Sequence, residues 1–313
     1  MYAIRGLLLS ASVFFLLYGL LSLGVASAWR VLARDRRQCT ARQSASLLFA
    51  LRMIPLLGAA LVTCAFMVPS FLLLEPHSVE EPLGWPPRLL GIGCLLILGL
   101  GAFRVAGALA RSTRVVARWM RGAETVLRSG PVPVFRVASA IPAFTVAGIR
   151  RPKVLLSEAS AALLTDDEIE TALRHEWVHA RRRDNLKKLL LRFAAFPGMA
   201  ALEHAWLQET EMAADDEAVS SLVEALDLAS ALIKLSRFSA MCQAPELTTG
   251  LVHSPAAKVD ARVKRLIAWG QQPACDRRPP RWYLPAIGTL LCLAMTYTTM
   301  LSGMHEVTEW LVR

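Results

Sequence analysis

Near the middle of the chain stand His175-Glu176-Trp177-Val178-His179. Histidines at i and i+4 of a helix leave it on one face, so both imidazoles can grip a single ion. Glu176 is turned about 100° from His175, close enough to serve a water at the metal without becoming a ligand. That pattern predicts one Zn2+ and a hydrolytic reaction. The third ligand must come from elsewhere in the chain. Residues 207–216 read L-Q-E-T-E-M-A-A-D-D, and on a helix Glu211 and Asp215 share a face. Glu211 leads as the residue completing a His-His-Glu site whose fourth position is left for water, with Glu209, Asp216 and Glu217 as alternatives. Asp215 is expected to accept the free N–H of a ligand histidine and fix its tautomer. Ala213 and Ala214 would let two metal-bearing helices approach closely.

The elements that position these residues are legible around them. Thr165-Asp166-Asp167-Glu168 is a capping box, with three acids suited to a helix N-terminus. It predicts a helix from there to about Arg183, carrying both histidines. Upstream, a stretch rich in Val, Ile, Phe and Thr and broken by Pro and Gly predicts strands at 132–137, 144–147 and 153–156. Asp184-Asn185 either cap the next segment or brace the site. Residues 186–206 are apolar but broken by Pro197-Gly198, which predicts an interfacial helical hairpin near the inner membrane surface, with an ordinary buried helix pair as the alternative. Arg181-Arg182-Arg183 read as a helix end facing solvent or lipid headgroups. His204 reads as a satisfied structural histidine and His253 as exposed, while His77 and His305 fall outside the membrane. The tyrosines stand at 2, 18, 283 and 297, in or beside apolar runs. An oxyanion must therefore be stabilised by an Arg, a His or a backbone N–H.

Of 313 residues, 54% are hydrophobic and 19% charged. That is too apolar and too weakly charged for a wholly water-soluble protein, and it excludes disorder for most of the chain. Six cysteines without a C-x-x-C pair exclude both a disulfide framework and a cysteine–zinc site. Four apolar runs are long enough to span a bilayer, at about 6–29, 53–74, 89–110 and 282–301. Arginines crowd the connections after the first and third runs and before the fourth, while acids dominate between the second and third. The positive-inside rule then places both termini outside and 111–281 in the cytoplasm. The same loops account for much of the net charge of +10, so no direct nucleic-acid binding is expected.

The stretch A-L-R-H-E-W-V-H-A-R-R-R-D-N-L (172–186), followed by E-M-A-A-D-D-E-A-V (211–219), resembles the BlaR/MecR-type membrane metallopeptidases, the zinc-protease halves of β-lactam sensor-transducers. P-A-F-T-V-A-G-I-R-R-P-K-V-L-L-S (142–157) is similar to the strand region of the same family. The pattern at Glu211–Asp215 is also similar to HtpX and CAAX-type proteases, whose third ligand is the first Glu. The resemblance implies a bacterial inner-membrane, multi-pass α+β protein. It would have three helices in 1–110, a cytoplasmic zincin-like (gluzincin) domain in 111–281, and a fourth helix with a short tail in 282–313. It implies zinc on His175, His179 and Glu211, Glu176 as general base, and Asp215 bracing a ligand. Its partners would be the lipid bilayer and a protein or peptide substrate, such as a winged-helix repressor or the chain itself. Only Ser302 to Arg313 follow the fourth run, so the likeness is to a protease module without the family's extracellular sensor. Two other readings stay open: an HtpX-like quality-control protease, and a non-catalytic transducer with a structural zinc site.

Overall fold

The computed structural model describes residues 2–32, 40–75, 84–127, 130–138, 144–194, 196–237, 248–250, 256–269, 299, 302, 303 and 306. Long apolar helices come first. α1 (Tyr2–Leu32) is followed by α2 (Ala41–Val62), which runs through a π-helical turn (Thr63–Met67) into α3 (Val68–Leu74), and then by α4 (Trp85–Trp119). Among the described residues, three stretches are long and apolar enough to cross a membrane: Tyr2–Trp29, Ala41–Leu74 and Trp85–Trp119. The helices outrun the apolar windows that predicted them. The second begins at Ala41 and not at 53, because Thr40 and Gln43 form a capping box there and the arginines at 42 and 52 are good helix formers. The third continues to Trp119 through Arg111, Arg114 and Arg118, also good helix formers. Of the fourth run all but Thr299 lies outside the described residues, as do His77, His253 and His305.

Beyond α4 the chain builds a five-stranded sheet, in the order β1-β2-β4-β3-β5. Its strands are β1 (Glu124–Leu127), β2 (Val134–Val137), β3 (Phe144–Ala147), β4 (Lys153–Ser157) and β5 (Thr248–Gly250). β2 and β4 run parallel, with Val134 opposite Val154; the other pairs are antiparallel. The predicted strands match β2 to β4 within two residues, and β1 and β5 are additions. Alternation along β4 divides the core. Val154 and Leu156 pack with α6 (Asp166–Arg182), α9 (Leu222–Ser236) and α10 (Ala256–Ile267). Leu155, between them, faces Trp119 and Met120 at the end of α4. Gly148 closes the β3–β4 turn at φ +96, where a Cβ would lie 2.8 Å from the Arg151 carbonyl oxygen, so only glycine fits.

α5 (Glu158–Leu163) leads into α6. The predicted box is present: Thr165 Oγ1 accepts the Glu168 N–H and Glu168 Oε2 accepts the Thr165 N–H. Glu168 also accepts from Ser230 Oγ and Lys234 Nζ of α9, so the cap doubles as a tie between helices. α6 ends at Arg183, whose left-handed backbone (φ 54) starts α7 (Asp184–Phe193) with no intervening loop.

The hairpin of α7 and α8 (Ala200–Ala218) packs as the buried helix pair, the alternative to an interfacial hairpin. Leu191, Ala194, Met199, Leu202 and Trp206 are buried in one cluster with Phe14, Tyr18, Leu48, Leu56 and Cys94 of α1, α2 and α4. Tyr18 meets Phe196 edge to face at 5.2 Å. Gly101 of α4 lies so close to the Phe193 carbonyl that a Cβ there would stand 2.5 Å from its oxygen. α7 is amphipathic, and it is Leu191 of its apolar side that enters this cluster.

Candidate metal centre

α6 and α8 bring the three predicted ligands together. His175 Nε2 and His179 Nε2 stand 3.1 Å apart. Glu211 Oε2 is 3.7 Å from the first and Oε1 is 3.6 Å from the second. All three residues offer a ligand atom within 4.8 Å of the others. Tetrahedral ligands about 2.0–2.1 Å from a zinc ion stand about 3.3 Å apart, so these spacings suit that ion. Ala213 and Ala214, both fully buried, occupy the interior face of α8 between Glu211 and Asp215.

Each imidazole is braced from behind. His175 Nδ1 lies 3.0 Å from Asp215 Oδ1, a charge contact without the geometry of a hydrogen bond. His179 Nδ1 lies 2.8 Å from Asp184 Oδ2, which Arg183 places by turning the chain back at the end of α6. A carboxylate at Nδ1 makes that nitrogen the donor and leaves Nε2 as a lone pair. Two such lone pairs 3.1 Å apart beside a buried carboxylate repel one another unless a cation lies between them. That is the arrangement a divalent metal satisfies, and the residues present fit it.

Glu176 is fully buried beside the cluster. Its Oε2 accepts the Val146 N–H of β3 at 3.0 Å, and its Oε1 is buried without a hydrogen-bond partner. The sheet thus holds one oxygen and leaves the other uncommitted. Asn185 fastens the same strand, donating to the carbonyls of Val146 and Gly148. Asp184 and Asn185 therefore both brace the site.

The electrostatics are those of a metal-free cluster. Burial pushes the Glu176 carboxyl up to about 8, with His175 opposing and Glu211 adding to the rise. Burial disfavours a charged His175, but Asp215 and Glu211 outweigh it and raise its pKa to about 9. Burial holds His179 down. Glu211 is kept far below the usual carboxylate range, since His179, His175 and Arg262 overcome its burial. Lys188 of α7 shares this field: burial lowers its pKa against the pull of Glu211, Asp184 and Glu176.

The other candidate ligands point elsewhere. Asp216 pairs with Arg265 at 2.7 Å, and Glu217 with Arg181 at 2.6 Å, so two of the three alternatives are engaged in salt bridges. Arg181 and Arg182 at the end of α6 both reach Glu217, Arg181 while remaining largely exposed. His204 is exposed on α8 and is no buried structural histidine. Arg262 was missed. It lies on α10 within 3.1 Å of both Glu211 and Asp215. Its signal was its position: Val259, Val263 and Leu266 form the buried stripe of α10, and Arg262 stands in that stripe.

Residues 104–266, just over half of the chain, match the family model described as BlaR1 peptidase M56. The matched region holds both histidines, Glu176, Glu211, Asp184, Asp215 and Arg262. No curated protein matches the chain.

Proposed function

The chain belongs to the BlaR1 peptidase M56 family, and from that premise we propose that it is a membrane-embedded zinc endopeptidase. His175, His179 and Glu211 would hold the ion, and Glu176 would act as general base. The observation that carries this reading is the division of labour around the cluster. Three ligand atoms converge while the fourth carboxylate, Glu176, is held back by Val146 with one oxygen unengaged. A structural zinc site would fill its fourth position with a protein ligand and has no use for such a carboxylate.

When bound, zinc supplies Lewis acidity and a nucleophile at neutral pH. Glu176 takes the proton of the attacking water at Oε1 and returns it to the leaving amine. Asp184 and Asp215 keep both imidazoles in the ligand tautomer.

Glu176→Gln tests the reading. It removes the base and keeps the ligands, so zinc content stays near one per chain while peptide cleavage falls by about 10²–10⁴. Undiminished cleavage in the folded variant would remove Glu176 as the base, whereas a zinc-loaded unaltered chain that cleaves nothing would replace hydrolysis with a transducer role. Repressor cleavage or self-cleavage is the signalling output we propose, with the metal centre on the cytoplasmic side. The loop charges support that side. Topology reporters at 80 and 125 should read opposite compartments, and same-side signals would overturn it.

A further inference from the structure

The zinc cluster gathers four buried carboxylates, those of Glu176, Asp184, Glu211 and Asp215. A dication offsets only part of that charge. Asp184 has Lys187 at 3.0 Å. The two carboxylates of α8 have Arg262, which comes from α10 and is 3% exposed. Its Nε donates to Asp215 Oδ2 at 2.7 Å, and its Nη2 donates to Asp215 Oδ1 at 2.6 Å. Its Nη1 lies 3.1 Å from Glu211 Oε2. One guanidinium therefore engages both the metal-facing carboxylate and the carboxylate behind His175.

From this geometry we infer that Arg262 is a positioning residue for the metal, acting through Glu211 and Asp215. The inference rests on the zinc reading above. Arginine is suited to the task because its planar fork matches a carboxylate at two points and stays charged when buried. With Arg262 in place, Asp215 is fixed in plane, and it in turn orients His175. The third arm sets Glu211, whose two oxygens face one histidine each. Without it, two like charges one helical turn apart would be buried with the two histidines and Lys188 as the cationic partners. Either carboxylate then rotates away, and the ion loses its prearranged seat. A lysine cannot stand in fully, because a point ammonium does not form the fork and the third contact together.

The test uses the full chain in detergent micelles, zinc alone as probe, and competition with a chromophoric chelator to measure affinity. Arg262→Met should fold and bind zinc about 10–100-fold more weakly than the unaltered chain. Arg262→Lys should fall between the two. Lys234→Met supplies the control for a merely structural role. It removes the partner of Glu168, which lies at the other end of α6, and should lower thermal stability while leaving zinc affinity unchanged. Unaltered affinity in Arg262→Met overturns the inference; should that variant not fold, unaltered affinity in Arg262→Lys does so. An unaltered chain that binds no zinc would remove the metal reading itself, whereas a zinc-binding chain indifferent to Arg262 would remove only this inference.

Discussion

Ser12 in α1 and Asp184 in α7 are both fully buried, yet they meet their bonding needs differently. The Ser12 hydroxyl donates to the Leu8 carbonyl of its own helix and lies equally close to the Pro87 carbonyl of α4, each at 2.7 Å. No charge is involved, and the surroundings are apolar. Asp184 faces a histidine at one oxygen and a lysine at the other. The contrast holds more widely. Among the described residues, the long apolar helices cohere through close packing, as at Gly101 and Phe193. The metal centre coheres through compensated charge, in which every member neutralises another. Removing a group from the first region leaves a gap or a clash. Removing one from the second leaves a buried charge without its partner, which is far more damaging.

Glu211→Ala should show the largest effect. It deletes a proposed ligand and strips Arg262 of one carboxylate, so zinc should be lost from the purified protein, while Glu209→Ala and Glu217→Ala keep it. A full equivalent of zinc in the Glu211 variant would dissolve the distinction between the two regions at its strongest point. Asp184→Asn comes next. It keeps the volume and removes the charge that fixes His179, so chelator competition should show zinc affinity lower by about 10–100-fold. The smallest effect is expected in the packed region. Gly101→Val sets side-chain carbons against the Phe193 carbonyl and should lower unfolding stability in detergent by about 1–3 kcal/mol, with zinc content unchanged. If that variant lost zinc affinity as Asp184→Asn does, packing and charge would be one system.

The parts legible in the sequence were those encoded locally. The capping box at Thr165, the two histidines and Glu176 all lie on one helix, where spacing fixes direction. β2, β3 and β4 announced themselves by β-branched residues between prolines and glycines. β5 is three residues long, too short for alternation to register, and β1, as long as β2 and β3, opens on a charged Glu124 and lacks their apolar run. Their strand character comes from the neighbours they pair with. Asp215 was foreseen behind His175, but its cation was not. Arg262 stands 47 residues further on, and a basic residue in a basic helix reads as solvated until its burial is known. The extent of α2 and α4 was missed because apolar windows report what lipid can cover, while a helix continues wherever its backbone bonds and caps allow. The two readings of the hairpin could not be separated because Lys187 and Lys188 suggest a solvated face, whereas α7 sets Lys187 against Asp184 and Lys188 in the field of Glu211, with Leu191 buried among the apolar helices.

That hairpin bears on how this molecule can be divided. α8 carries Glu211 and Asp215 at one end and Leu202 and Trp206 at the other, the latter packed against Leu48 and Phe49 of α2. A cut between α4 and β1 would follow the chain's own boundary and still tear through shared side chains. The freed piece would expose Leu191, Met199, Leu202 and Trp206 to water, a contiguous apolar face of the kind that drives aggregation. Peptidase and anchor are thus not modules joined by a linker. The helix that presents the third ligand is itself a wall of the bundle, so a shift of α2 bears directly on α8, two and a half turns from Glu211 at most.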